Sequence, residues 1–228
     1  MIIVLGGIKG GSGKTTLATN LTVLRASEGR HVLLVDADEQ CSASDWAEHR
    51  DGLGIPTPWT TIRLAGSAVR TQVQKMAASY DDIIIDTGGR DTTSQRAALT
   101  IADILIVPFQ PRSLDIWTLG KVISLLSEIR AVNEKLEAFA VVNRADAQGE
   151  DNREALRIID EAEGIKSINS AIGQRKAFSN AAAAGLGVSE MKVIDKKALE
   201  ELRLVYSAVF NAVNMPSPKR QNSGVLVS

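Results

Sequence analysis

The sequence predicts an α/β domain: a mostly parallel, twisted sheet flanked by helices. Three observations point there. Short runs rich in β-branched residues recur along the chain, "MIIVLGG", "HVLLVD", "DDIIIDTGG", "ADILIVP" and "EAFAVVN". Each is apolar throughout rather than alternating, which is the pattern of strands buried on both faces. Helix-like segments lie between them, and a regular alternation of strand and helix implies right-handed crossovers onto a parallel sheet. The 228 residues suit one domain, predicted over 1–212, followed by a polar tail over 213–228 whose two prolines and lack of periodicity predict no packed structure.

The first run leads into "GGIKGGSGKTT", residues 6–16, and then a helix over 14–28. Gly10, Gly11 and Gly13 allow the backbone to turn its N–H groups inward at a helix start, which makes a nest for anionic oxygens. Lys14 reaches phosphate there and the Thr15 hydroxyl can ligate Mg²⁺, the mechanics of G-x-x-x-x-G-K-[ST], although Ile8 stands where the first glycine of that pattern belongs. Ser12 and Thr16 complete the nucleotide-binding loop. Lys9 gives the loop a second lysine that holding a phosphate does not require.

The second run ends in "DADEQ". Asp36 and Asp38 start on the same face of an extended strand, placed either to face Mg²⁺ and a water or to act as a turn-forming or helix-capping pair. In the third run Ile83, Ile84 and Ile85 deliver Asp86 to the strand end, and Gly88 and Gly89 let the following backbone bend. After the fourth run, "VPFQPRSLDIWTLG" leads to a helix whose apolar residues Leu119, Val122, Ile123, Leu126 and Ile129 share one face. The fifth ends in "VVNRADA", followed by the helical "EDNREALRIIDEAE". A last helix is predicted over 195–212, with Leu199, Leu202, Val205, Tyr206, Val209 and Phe210 inward.

The segment "KGGSGKTT" matches K-G-G-x-G-K-[ST], the deviant Walker A signature. With "DADEQ" and "DIIIDTGG" following in order, the chain resembles, to about residue 190, the ParA/MinD family of P-loop NTPases, in particular a short ParA-type partition ATPase. The resemblance implies ATP and Mg²⁺ as cofactors and an ATP-dependent homodimer. Lys14 would serve its own nucleotide, while Lys9 would cross to the partner's phosphates, like an arginine finger supplied in trans. Asp36 would lie near the magnesium shell, Asp38 would position the attacking water, and Gln40 would sit near the phosphates or the dimer interface. Glu39 replaces the family's usual proline. Asp86 would act as the Walker B carboxylate, holding Mg²⁺ through a water. Asn143 falls where the family often contacts adenine, although a satisfied loop asparagine is an equal reading; the guanine-type N/T-K-x-D pattern is absent, but "NRAD" comes close enough to it to keep GTP as an alternative.

By the same resemblance, the P-x-x-P-S-x-L-D loop leads to a helix at the dimer interface, and non-specific double-stranded DNA binds basic residues of the C-terminal half. Arg175, Lys176, Lys192, Lys196, Lys197 and Arg203 are the candidates, against the alternative of an ordinary solvated face. A ParB-like or cargo-adaptor protein would stimulate weak hydrolysis, and the protein would be cytoplasmic and nucleoid-associated, partitioning or positioning plasmid, chromosome or protein cargo. Alternatives are a ParA-like scaffold for conjugative DNA transfer, suggested by "DADE" and "SLDI", and a MinD-like positioning ATPase.

Composition narrows these readings. With Lys+Arg 26 against Asp+Glu 27, the net charge of -1 leaves any polyanion to a local patch. Aromatic residues at 4% argue against stacking on single-stranded nucleic acid. A lone cysteine, Cys41, and an N-terminus without a signal-peptide pattern predict a reducing compartment. No apolar run reaches the ~18 residues of a membrane span, and no stable membrane anchor is expected. His31 and His49 are isolated, which disfavours zinc.

Overall fold

The five predicted runs form the centre of one sheet in the computed structural model of the chain, which describes residues 1–111, 116–146 and 149–212. They are β1 (Ile2–Leu5), β2 (Val32–Ala37), β4 (Asp82–Thr87), β5 (Ile104–Phe109) and β6 (Glu137–Ala145). Two further strands, β3 (Thr60–Arg63) and β7 (Lys166–Gly173), complete a seven-stranded sheet of order β3-β2-β4-β1-β5-β6-β7. All its neighbours are parallel. Both added strands are edges and are partly exposed, so their sequences mix polar with apolar residues and carry no continuous apolar run.

Successive residues of the inner strands face opposite layers. Ile3, Leu5, Leu34 and Ile84 point into a core shared with α1 (Lys14–Ser27), α2 (Ser42–Gly52), α7 (Lys176–Ala183) and α8 (Lys196–Ala212). Val4, Leu33, Val35, Ile83 and Ile85 point into a second core under α3 (Ala68–Met76), α4 (Thr93–Leu99), α5 (Ile116–Arg130) and α6 (Glu150–Asp160). Each fully buried Ile or Leu contributes about 1.5–3 kcal/mol to holding these layers together. Leu119, Val122, Leu126 and Ile129 are buried as the periodicity of α5 requires, with Ile123 half-buried. On α8, Leu202, Val205, Val209 and Phe210 are buried, Leu199 and Tyr206 lie at the margin, and Ala198 joins the core.

The order of strands places the functional end. The chain runs from β1 outward to β2, returns to β4 beside β1, and then crosses to β5 on the other side. That reversal opens a crevice at the carboxyl ends of β1 and β4, where ligands of such sheets bind. The tail over 213–228 and the Arg112–Asp115 part of the P-x-x-P-S-x-L-D loop lie outside the described residues.

Candidate nucleotide site

A cleft of about 790 Å³ opens at this crevice, within the range of small-ligand pockets. It is lined by Gly10, Gly11, Gly13, Lys14, Thr15 and Thr16 from the loop after β1, by Asp38 and Gln40 after β2, and by Gly88, Gly89 and Arg90 after β4. The loop needs its glycines at specific points. Gly11 and Gly13 take φ of +72° and +98°, in the left-handed region that favours glycine, and Gly13 caps α1 without a side chain. The free N–H groups of the first turn of α1 therefore face the cleft, with the positive end of the helix dipole behind them. A Cβ at Gly89 would lie 2.4 Å from the backbone nitrogen of Gly10, so the loop after β4 rests directly on the glycine loop.

The two lysines have opposite surroundings. Lys14 is buried and donates from Nζ to the Lys9 carbonyl oxygen at 3.1 Å. Burial pulls its pKa below the usual lysine value, while Asp86 and Asp38 oppose the shift. The Lys9 side chain is exposed at the rim and forms no ion pair among the described residues.

Sheet register sets Asp36 directly beside Asp86 on neighbouring strands, yet the two carboxylates differ. Asp36 accepts the N–H of Asp38 at 3.2 Å and that of Ser44 at 2.8 Å, so it caps the first turn of α2 from six residues before that helix begins. Asp38 is half-exposed at the cleft, with an oxygen 3.1 Å from where a Cβ on Gly88 would stand. Asp86 is fully buried, and among the described residues neither of its oxygens makes a hydrogen bond of good geometry, although the Thr15 hydroxyl is near enough to favour the carboxylate. Burial pushes its carboxyl up to about 7; the Thr15 hydroxyl and Lys14 oppose this, and Asp36 and Asp38 add to it. A buried carboxylate without a well-formed hydrogen bond, beside a hydroxyl and a lysine, fits a bound divalent cation. No three His, Cys, Asp or Glu side chains among the described residues converge as a protein-only metal cage.

These features, in this order, belong to one kind of domain. Residues 3–188 match CbiA, the CobQ/CobB/MinD/ParA nucleotide binding domain. The chain belongs to this family. A relative from Halothiobacillus neapolitanus, maintenance of carboxysome distribution protein A, is 26% identical over 91% of this chain and 95% of its own length. The protein of the same name from Gloeobacter kilaueensis is 30% identical over 84% of this chain and 85% of its own. Among solved structures, the cell division ATPase MinD of Pyrococcus furiosus shares the fold with a TM-score of 0.72 at 17% identity, covering 92% of this chain and 98% of that one. The α/β class and the parallel sheet expected of a ParA/MinD-type P-loop protein are thus present.

Other family positions are engaged more than sequence alone suggests. Asn143 is 6% exposed and donates from Nδ2 to the Ser12 carbonyl at 2.6 Å, and a Cβ at Gly13 would collide with that amide at 2.1 Å. In this arrangement Asn143 braces the glycine loop from below. Asn143→Ala is expected to weaken ATP and inorganic triphosphate by the same factor, about tenfold, in a binding titration. A loss confined to ATP would return Asn143 to the base.

Several site residues carry no motif. Gln110 donates from Nε2 to the Gly11 carbonyl at 2.7 Å. Arg144 lines the cleft with φ of +56°, beside a register irregularity between β6 and β7 that re-aims its side chain. Gln95 meets the end of β1 through the Gly7 N–H at 2.9 Å. Only the adjacency of Arg144 to Asn143 and of Gln110 to the fourth run could have drawn attention to them.

The basic candidates divide. Arg175 is committed to Glu201, donating from Nε at 2.8 Å in a two-pronged pair, which leaves its charge largely neutralised. Lys176, Lys192, Lys196, Lys197 and Arg203 are exposed and form no ion pair among the described residues. Glu200 stands between Lys196 and Arg203 along a shallow groove on α8. No helix of the described residues is long and apolar enough to cross a membrane.

Proposed function

We propose that the chain is an ATP-dependent dimerising switch that hydrolyses ATP slowly, holds non-specific double-stranded DNA in its ATP state, and so positions a cargo. The observation that carries this is the opposite fate of the two lysines: Lys14 turned into its own cleft, Lys9 free at the rim. In this reading the exposed Lys9 serves catalysis when a second protomer presents its nucleotide to it. Two relatives named for carboxysome distribution support positioning as the kind of task.

In this mechanism the N–H groups of Gly10, Gly11, Ser12 and Gly13, with Lys14, Thr15 and Thr16, hold the phosphates. The Thr15 hydroxyl and Asp86, with Asp36 beside it, would hold Mg²⁺, which when bound neutralises charge on the phosphate oxygens. Asp38 accepts a hydrogen bond from the attacking water and orients it. Lys9 of one protomer stabilises the charge developing on the phosphoryl group bound by the other, a contribution made only in the closed dimer. Gln40, at the cleft mouth, lies where the second protomer would close. A ParB-like or cargo-adaptor protein would accelerate closure or release, and the nucleoid is the place such a DNA-bound state would occupy.

The exposed cations Lys176, Lys192, Lys196, Lys197 and Arg203 are the DNA contacts in this reading, doubled by dimerisation. Light scattering with ATP·Mg²⁺ or ADP, combined with fluorescence binding to random duplex, tests it. ATP alone should give a dimer that binds DNA, and Asp38→Ala should remain in that state. Affinity should fall at least about tenfold between roughly 50 and 200 mM salt, as counterion release demands. A protein that stays monomeric with ATP bound, or binds DNA without regard to salt, would overturn the switch.

A further inference from the structure

Gln95 belongs to none of the motifs, yet it is 0% exposed at the junction of three segments that build the cleft. Its Oε1 accepts the Gly7 N–H at 2.9 Å, two residues before Lys9. The Thr87 hydroxyl, one residue past Asp86, has one proton to share between two acceptors, this oxygen at 3.1 Å and the Leu5 carbonyl at 2.9 Å. Its own backbone N–H, in the first turn of α4, is capped by the Thr92 hydroxyl at 3.2 Å, so the last residue of the loop over 88–92 is bonded to Gln95. The N–H of Gly7 fixes which end of the amide faces it, because only the oxygen accepts. Nε2 has no partner among the described residues, so Oε1 carries the polar role of the side chain.

The chain therefore offers two routes from the loop after Asp86 to the lysine-bearing loop. One is the direct contact of Gly89 with Gly10, which pushes but cannot pull. The other runs through Gln95, whose backbone N–H donates to the Thr92 hydroxyl at the end of the loop over 88–92 and whose Oε1 accepts the Gly7 N–H, and it transmits displacement in both directions.

We infer that Gln95 is a positioning residue that couples the loop over 88–92 to the glycine loop, so that the nucleotide state sensed after Asp86 sets the pose of Lys9. It acts on the backbone that presents Lys9 and does not touch the phosphates itself. The coupling rests on the reading of the cleft as an ATP site.

Gln95→Met keeps the length and bulk of the side chain and removes the acceptor. The full chain, wild type and variant, is followed by amide hydrogen exchange over 7–13 and 88–92 with ADP or a non-hydrolysable ATP analogue, alongside ADP titration and ATP turnover. In the wild type the analogue should slow exchange in both segments more than ADP does. In Gln95→Met the response should persist over 88–92 and vanish over 7–13, with ADP affinity within about threefold and turnover down about tenfold or more. Thr87→Val removes the facing hydroxyl and should give the same split, and the double variant should be no worse than either single one. If Gln95→Met does not fold, Thr87→Val decides by the same readouts.

Wild-type exchange over 7–13 in a folded variant, or equal loss of both nucleotides with turnover intact, would overturn the coupling and leave Gln95 as packing. A wild type in which the analogue changes neither segment would overturn the ATP site itself.

Discussion

Asp86→Asn is expected to stabilise the nucleotide-free protein at neutral pH while abolishing Mg²⁺-dependent turnover. The two effects have one cause. Asp86 is fully buried, neither carboxylate oxygen makes a hydrogen bond of good geometry among the described residues, and burial raises its carboxyl to about 7. The folded state therefore holds a proton that the unfolded chain releases near 4. Stability from this group is fully present below about pH 4 and is lost as pH rises toward 7, by the linkage between proton binding and folding. A shift of this size corresponds to a cost on the order of 2–4 kcal/mol at neutral pH. Asn has the same shape and no charge to desolvate, so the variant escapes that cost. Urea denaturation of the apo-protein at pH 5 and pH 7.5 should show the wild type weakening with rising pH and Asp86→Asn nearly level. ATP·Mg²⁺ should stabilise the wild type far more than the variant. A variant less stable than wild type at pH 7.5, or one with normal Mg²⁺-dependent turnover, would remove Asp86 from the metal site.

Lys9→Ala should leave ATP affinity within about threefold of wild type and lower turnover by roughly a hundredfold or more. The exposed side chain makes no ion pair among the described residues, so its loss should cost the free protein less than about 0.5 kcal/mol. The effect should be confined to the assembled state, because a cation delivered across an interface acts only in the transition state formed there. Lys14→Ala is the contrast. Its ammonium lies buried near Asp86 and Asp38, and its removal should abolish nucleotide binding itself. Pre-steady-state binding of a fluorescent ATP analogue and steady-state phosphate release separate the two variants. Wild-type turnover in Lys9→Ala would end the trans assignment and leave Lys9 as a solvated lysine.

The inner strands were legible because burial on both faces demands uninterrupted apolar residues, and "VLLVD" or "DIIID" can serve little else. The glycine loop was legible for a related reason: its chemistry is local, so Gly11, Gly13, Lys14 and Thr15 must stand at fixed spacing whatever surrounds them. The edge strands Thr60–Arg63 and Lys166–Gly173 escaped because half-exposed backbone tolerates polar residues. For Asp36 the sequence left two roles open, metal-facing or helix-capping, and the structure supplies the cap, since the carboxylate closes the first turn of α2.

The sequence by itself determined the fold class, the strand ends that carry carboxylates, and the glycine loop, because each is encoded within a few contiguous residues. The tertiary structure alone decided that Asn143 braces Ser12 from 131 positions away, and that Gln95 reaches Gly7 across 88. It also decided that Asp86 is fully buried and that Arg175 is spent on Glu201. Those outcomes depend on sheet order and register, which bring together side chains whose types are unremarkable and whose separation in the chain carries no pattern.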